Sequence, residues 1–297
     1  MPLGGRMVAG NKAKQRRAAA PAVDAAAIEG DALAAETIEQ FRGDRDFIFG
    51  LARGFAVLLS LSTTRRHMTI SQVARRTGLT RPSARRCLHT LEQIGFAASD
   101  GIGGYYLRPR VLSFSHTYLS ASPIALLAQP LLDELSNSTL QACALAVLDG
   151  DDIAYLARSM SSPIIAPHLN VGRRQPAYCT SIGHILLANL PKSQLDQYLS
   201  RIRFYQYTVH TINSKAKLRA AVDDARTSDL AYVSQQTGPN LCSLAVPVRD
   251  ESGACIAGIN LIVHGAVLSA AEMTSRYLSS LKQAAASLGL VLPSNAC

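Results

Sequence analysis

Nowhere does the 297-residue chain hold the roughly 18 consecutive apolar residues that a membrane-crossing helix needs, so no span is expected. Its first 20 residues lack an unbroken apolar core and a small-residue cleavage site, so no secretory signal is visible and a cytoplasmic location is expected. Cys87, Cys143, Cys179, Cys242, Cys255 and Cys297 include no CxxC pair. They read as reduced thiols, mostly small buried hydrophobes, rather than disulfides or zinc ligands. His67, His89, His116, His168, His210 and His264 show no metal-ligand spacing. The glycine-rich "GIGG" at Gly101–Gly104 does not sit between a buried strand and a helix, as a phosphate-cradling loop would. Neither metal nor cofactor is expected.

Acidic residues are scarce in one particular place. Between Asp46 and Arg110 ten arginines face only Asp46, Glu92 and Asp100, so 65 residues carry +7 of the chain's net +9. Every base there is arginine, whose planar fork suits phosphate oxygens and guanine edges. A charge run alone is also what a solvated face looks like; the pattern around it decides.

Residues 1–45 open basic, then become Ala-rich and dotted with acids, and are expected to be a disordered extension. From there "FIFGLARGFAVLLSLS" reads as a first helix, with apolar Phe55, Leu58, Leu59 and Leu61. "MTISQVARRTG" reads as a second, capped by Thr69 or Ser71 and ended by a left-handed Gly78. Thr80 caps a third helix and Pro82 lies in its first turn, where a missing N–H does no harm. Ala84, Cys87, Leu88, Leu91 and Ile94 form its buried stripe. Arg81, Ser83, Arg85, Arg86 and His89 fall on the other face, free to lie in a major groove. "GFAASDGIGGYYLRP" reads as strand, turn, strand: a wing, with Arg108 and Arg110 beside it for backbone contacts. Residues 46–110 are therefore expected to form a winged helix-turn-helix that grips duplex DNA, Thr80 and Ser83 helping to hold phosphate.

Residues 111–122 are expected to form a linker helix, and 123–297 a second, α+β domain of antiparallel sheet with flanking helices. Pro130 predicts a kink or a two-part helix after the linker. Hairpins are expected at Asp149-Gly150 and over Asp250–Gly253, and a closing helix with Met273, Tyr277, Leu281, Ala284 and Leu288 inward. In "AYCTSIGHILL" Thr180 or Ser181 can cap a helix whose N–H groups, at Ile182 and Gly183, would seat a carboxylate. Tyr178, beside Cys179, offers a ring to stack on an aromatic ligand and a hydroxyl to bond it. Arg158 could pair with a ligand carboxylate, and Ser243 and Asn260 could face the same cavity. Each also has an ordinary structural explanation: capping for Thr180 and Ser181, a surface strand end for Arg158, a sheet position for Asn260.

"ARGFAVLLSLS", "ISQVARRTGLTRPSARRCLHTLEQIGF" and the wing resemble the IclR family of bacterial transcription regulators. "VGRRQPAYCTSIGHILLANLP" and "SLAVPVRDESGACIAGIN" resemble its effector-binding half, so the likeness covers roughly residues 47–290. The phrases around Tyr178 and Ser243 look most like the branch that senses protocatechuate or 4-hydroxybenzoate. The resemblance implies a GAF-like ligand domain, a homodimer or tetramer, operator DNA as partner, and as effector a small organic acid of aromatic type. His184 and Cys242 stand where arginine is common in relatives, which would change how an anionic ligand is held. Against the regulator stand a constitutive DNA binder and an enzyme using Cys179 with His184; no catalytic signature surrounds that pair.

Overall fold

The computed structural model describes residues 38–61, 67–160 and 170–291. The expected extension therefore lies almost wholly outside the described residues, as do Arg65, Arg66 and Cys297. Residues 38–40 are already helical, Ile38 is buried and Phe41 stacks on Phe47 at 4.5 Å, so ordered packing begins ahead of Asp46.

The first unit is built from α1 (Phe49–Ser60), β1 (Met68–Thr69), α2 (Ile70–Thr77), α3 (Arg81–Gln93), β2 (Ala97–Ser99) and β3 (Gly104–Leu107). Thr69 and Gln72 form a reciprocal capping box on α2, and Gly78 ends it at φ +69°. Thr80 caps α3 by accepting from the Ser83 N–H at 3.4 Å. The three strands form a small antiparallel sheet in the order β1-β3-β2. Ala84, Leu88 and Leu91 of α3 close over Val57, Leu58 and Val73 to make the core.

Two details differ from the sequence pattern. Phe55 and Leu59 of α1 are exposed, and Ala56 and Val57 are buried beside Leu58 and Leu61. Helical periodicity fixes that one face is apolar; α1 is apolar all round, so the pattern cannot say which side meets α3. Ile94 lies outside the stripe, 46% exposed at the end of α3.

A single 3₁₀ turn leads into α4 (Leu112–Ala121), the linker helix, none of whose residues is fully buried. It meets α5 (Pro123–Thr139) at an elbow of 86°. α5 is one continuous helix through Pro130, so of the kink or two-part helix expected there the two-part form does not occur. No single helix among the described residues is long and apolar enough to cross a membrane.

The second unit adds β4 (Ala142–Asp149), β5 (Asp152–Ser159), β6 (Arg174–Pro176), α6 (Ser181–Ala188), α7 (Lys192–Arg201), α8 (Lys215–Ser228), β7 (Ala231–Ser234), β8 (Leu241–Arg249), β9 (Cys255–His264) and α9 (Ala270–Val291). Its six strands form one antiparallel sheet, β6-β5-β4-β9-β8-β7. Both hairpins turn where expected, with Gly150 at φ +63° and Gly253 at φ +83°. One sheet face packs on α5 and α9 through Leu132, Leu145, Leu261, Met273 and Leu281. The other packs on α6, α7 and α8 through Tyr155, Ile182, Ile185, Leu195 and Val222.

Two glycines let α6 sit close. A Cβ on Gly258 of β9 would stand 2.7 Å from Ile182 Cγ2, and one on Gly183 would stand 2.1 Å from the Ala177 carbonyl oxygen. The second contact is with backbone, which cannot step aside. Gly183→Ala is expected to destabilise the chain by about 3 kcal/mol, read as a lower urea midpoint. An unchanged midpoint would mean that the turn before α6 is loosely held.

Candidate functional site

The basic face and the sheet face that α6 covers are separate sites. On α3, Arg81, Arg85, Arg86 and His89 are all exposed, and none of the three arginines forms an ion pair among the described residues. The helix has no acid in its first turn, so its positive end is uncompensated. Thr80 is exposed and Ser83 half-buried, both at that end. Thr80, Ser83 and Arg86 also line a cavity of about 760 Å³ between α1, α3 and Phe114 of the linker. Arg108 is exposed at the foot of the wing, just past β3.

Arg110 is taken up by the fold. Its Nη1 donates to the Ile94 carbonyl at 2.8 Å and its guanidinium lies over the Phe96 ring, capping the end of α3. The acids nearby are spent as well. Glu92 accepts from the Ser99 N–H at 3.2 Å, tying α3 to the wing, and Asp100 holds the wing turn. Among the described residues neither acid is ion-paired to an arginine of α3.

In the second unit the strand register brings Arg158, Ala144, Asn260, Ala245 and Ala231 into one row across five strands. Arg158 and Asn260 flank Ala144, two strands or about 10 Å apart, with only alanine methyls between and beside them. Ser243 opposes Ile262 on the same face, and both are buried. Asn260 is 3% exposed; its Nδ2 reaches Ser181 Oγ at 3.4 Å and its Oδ1 has no partner. Whichever way the amide is turned, one end of it is buried and unpaired. Leaving it so costs about 1–3 kcal/mol.

Other predicted effector residues are placed differently from expectation. The Tyr178 hydroxyl donates to the Tyr205 carbonyl at 2.7 Å and accepts from the Tyr205 N–H at 2.8 Å. The ring is buried edge-on to Phe204, so Tyr178 braces the loop around Tyr205 and its hydroxyl is already committed. Thr180 caps α6 by accepting from the Gly183 N–H at 3.1 Å, which withdraws that N–H from any ligand. Cys179 is buried with its thiol donating toward the Pro176 carbonyl at 3.5 Å. Cys179 and His184 do not pair, since His184 Nε2 instead meets the Tyr178 carbonyl at 2.8 Å. Arg158, Ser243 and Asn260 lie on the sheet face that α6 covers, with Ser181 of α6 against Asn260.

Burial holds the His184 imidazole below its ordinary pKa, with the Tyr178 carbonyl opposing in part. Burial also lowers the pKa of Arg158, whose carbonyl accepts from Gln129 of α5. The hydroxyl of Tyr178 and the clasp of Asp100 by His67 have no sequence signal, because their partners lie 27 and 33 residues away.

Two family models match. The IclR helix-turn-helix domain covers residues 50–101, and the bacterial transcriptional regulator IclR C-terminal domain covers residues 116–289. The Pca regulon regulatory protein of Pseudomonas putida is 41% identical over 86% of this chain and 87% of its own length. The p-hydroxybenzoate hydroxylase transcriptional activator of Acinetobacter baylyi is 32% identical over 72% of this chain and 81% of its own. The crystal structure of a Rhodococcus sp. RHA1 protein of the transcriptional-regulator class superposes with a TM-score of 0.70 at 36% identity, covering 82% of this chain and 97% of that one.

A buried histidine kept neutral makes stability depend on pH in a definite direction. The unfolded state takes up a proton near pH 6.5 that the folded state refuses, so stability is full above that pH and lost as pH falls through it. The slope contributed is at most about 1.4 kcal/mol per pH unit. Urea midpoints between pH 7.5 and 5.5 should fall in the parent chain and flatten in His184→Gln; parallel curves would show that His184 charges freely.

Proposed function

The chain belongs to the IclR family of bacterial transcriptional regulators, and from that premise we propose that it binds operator DNA through α3 and answers to a small aromatic carboxylate held under α6. It is a regulator and not an enzyme. A Pca regulon regulator and an activator of p-hydroxybenzoate hydroxylase are among its relatives, which supports aromatic catabolism as the process controlled.

The ligand half of the reading rests on one observation: the unpaired end of the buried Asn260 amide, on the same sheet face as Arg158. A carboxylate directed at Arg158 would meet its positive charge and a polar substituent directed at Asn260 would satisfy the unpaired end of its amide, with the ring over the alanine row. Ser181 and Ser243 complete the lining. Binding there loads α6 and, through Gln129, α5 as well, so occupancy biases the geometry of the DNA-binding unit.

For the DNA half, Arg85 and Arg86 contact the groove and phosphates, with Thr80, Arg81, Ser83 and His89 around them and Arg108 on the flanking backbone. The assembly we infer is a homo-oligomer acting in the cytoplasm. Its support is the exposed apolar set Leu51, Phe55, Leu59, Phe114 and Tyr118 on α1 and α4. A symmetric pair would present two copies of α3 to half-sites about 34 Å apart.

Replacing both Arg85 and Arg86 by alanine is expected to lower affinity for a selected duplex and to reduce the salt slope by about one for each phosphate that is no longer held. Unchanged binding isotherms would remove α3 from the interface. A hydroxybenzoate supplied at 100 times its Kd should stabilise the parent chain by about 2.7 kcal/mol in thermal unfolding and leave Asn260→Leu unmoved. An equal shift in both would put the ligand elsewhere.

A further inference from the structure

Among the described residues the most exposed large hydrophobe is not on a helix but at the tip of the wing: Ile102, 92% exposed. It stands between two glycines of positive φ, Gly101 at +80° and Gly103 at +98°, with open space where each missing Cβ would be. The tip is therefore as thin as backbone allows, with one apolar side chain projecting from it.

The turn is also rigid. Asp100 Oδ1 accepts from the N–H groups of Ile102 at 3.0 Å and Gly104 at 2.8 Å, while Oδ2 meets His67 Nδ1 at 2.8 Å. The Asp100 N–H donates to the Gly104 carbonyl at 2.9 Å, and Ser99 Oγ accepts from the Gly101 N–H at 3.3 Å. His67 in turn stacks on Tyr106 of β3. The one acid at the tip, which would repel phosphate, spends both oxygens inside the turn and is only 13% exposed. An exposed isoleucine on a flexible loop would be ordinary; one fixed by this set of hydrogen bonds on a glycine-flanked tip is presented.

We propose that Ile102 is an apolar wedge that enters the minor groove beside the α3 site and unstacks or widens one base step there. The proposal rests on the reading of α3 as the groove helix. Glu92 ties the wing to the end of α3, so a helix in the major groove carries the tip to the adjoining minor groove. That groove is about 6 Å wide, which admits a glycine-flanked backbone but not a tip of bulky side chains. Apolar side chains that enter this way part base steps and favour sequences that deform easily. Guanine's exocyclic amino group would obstruct the entry, so the step beneath Ile102 should be A·T.

The test uses the full chain and a duplex it selects from a random pool, with permanganate oxidation reporting which thymines are unstacked. Wild type is expected to raise thymine reactivity at one step outside the α3 contacts, and Ile102→Leu to keep that rise. Ile102→Ser should abolish it and weaken binding about tenfold, with thermal stability unchanged because the side chain is exposed. An inosine·cytosine pair at that step, which shows the A·T minor groove, should bind like A·T, and G·C about tenfold weaker. Arg85→Ala serves as the separate check on α3. Loss of binding with Arg85→Ala, but full affinity and thymine reactivity with Ile102→Ser, would overturn the wedge and leave α3 standing. Insensitivity to both would remove the DNA surface altogether. A fall in oligomer mass with Ile102→Ser, without any change in the permanganate signal, would assign the tip to a protein contact and also overturn the wedge.

Discussion

The six-stranded sheet is buried on both faces, and that double burial governs what its side chains can be. Leu145, Leu261 and Val263 are committed to the α5–α9 core, and Ala144, Ala146 and Ala245 to the α6–α8 core. In such a setting a polar side chain must find a partner or destabilise the fold. Asn260 has only half of one, and its neighbours in the row are the smallest side chains that still fill a sheet. The alanines matter as much as the amide, because larger residues in that row would push α6 away from the sheet. Gly258 and Gly183 then set how near α6 approaches.

In the first unit the same logic runs outward. Burying Ala84, Leu88 and Leu91 leaves the arginines of α3 no route into the interior, and the two acids nearest them are consumed by the wing. The positive field is thus a product of packing: the apolar stripe orients the charges and the turn chemistry removes their counterparts. Affinity for a polyanion follows without any residue being strained to provide it.

Most of this architecture is legible in the sequence because it is written in local chemistry. Thr69, Gly78, Thr80 and Pro82 mark helix ends by their own conformational preferences, and Asp149-Gly150 marks a hairpin for the same reason. Residues whose roles depend on distant partners are not legible. Tyr178 has the look of a ligand contact because nothing in its neighbourhood announces Tyr205, and Gly183 that of an anion seat although Thr180 takes its N–H. The short strands β1, β6 and β7 escape the sequence pattern because two to four residues give too little alternation to read. Phe55 and Leu59 show the converse limit: apolar character is local, but its orientation is set by what the helix meets.

The linker helix α4 sinks no side chain fully into either core and joins α5 at nearly a right angle. A ten-residue helix is about 15 Å long, so a ~10° swing about that corner carries its far end by about 3 Å. That is close to the rise of one base pair. A crank of this shape enlarges a slight rotation at the corner into a displacement on the scale that separates one base pair from the next.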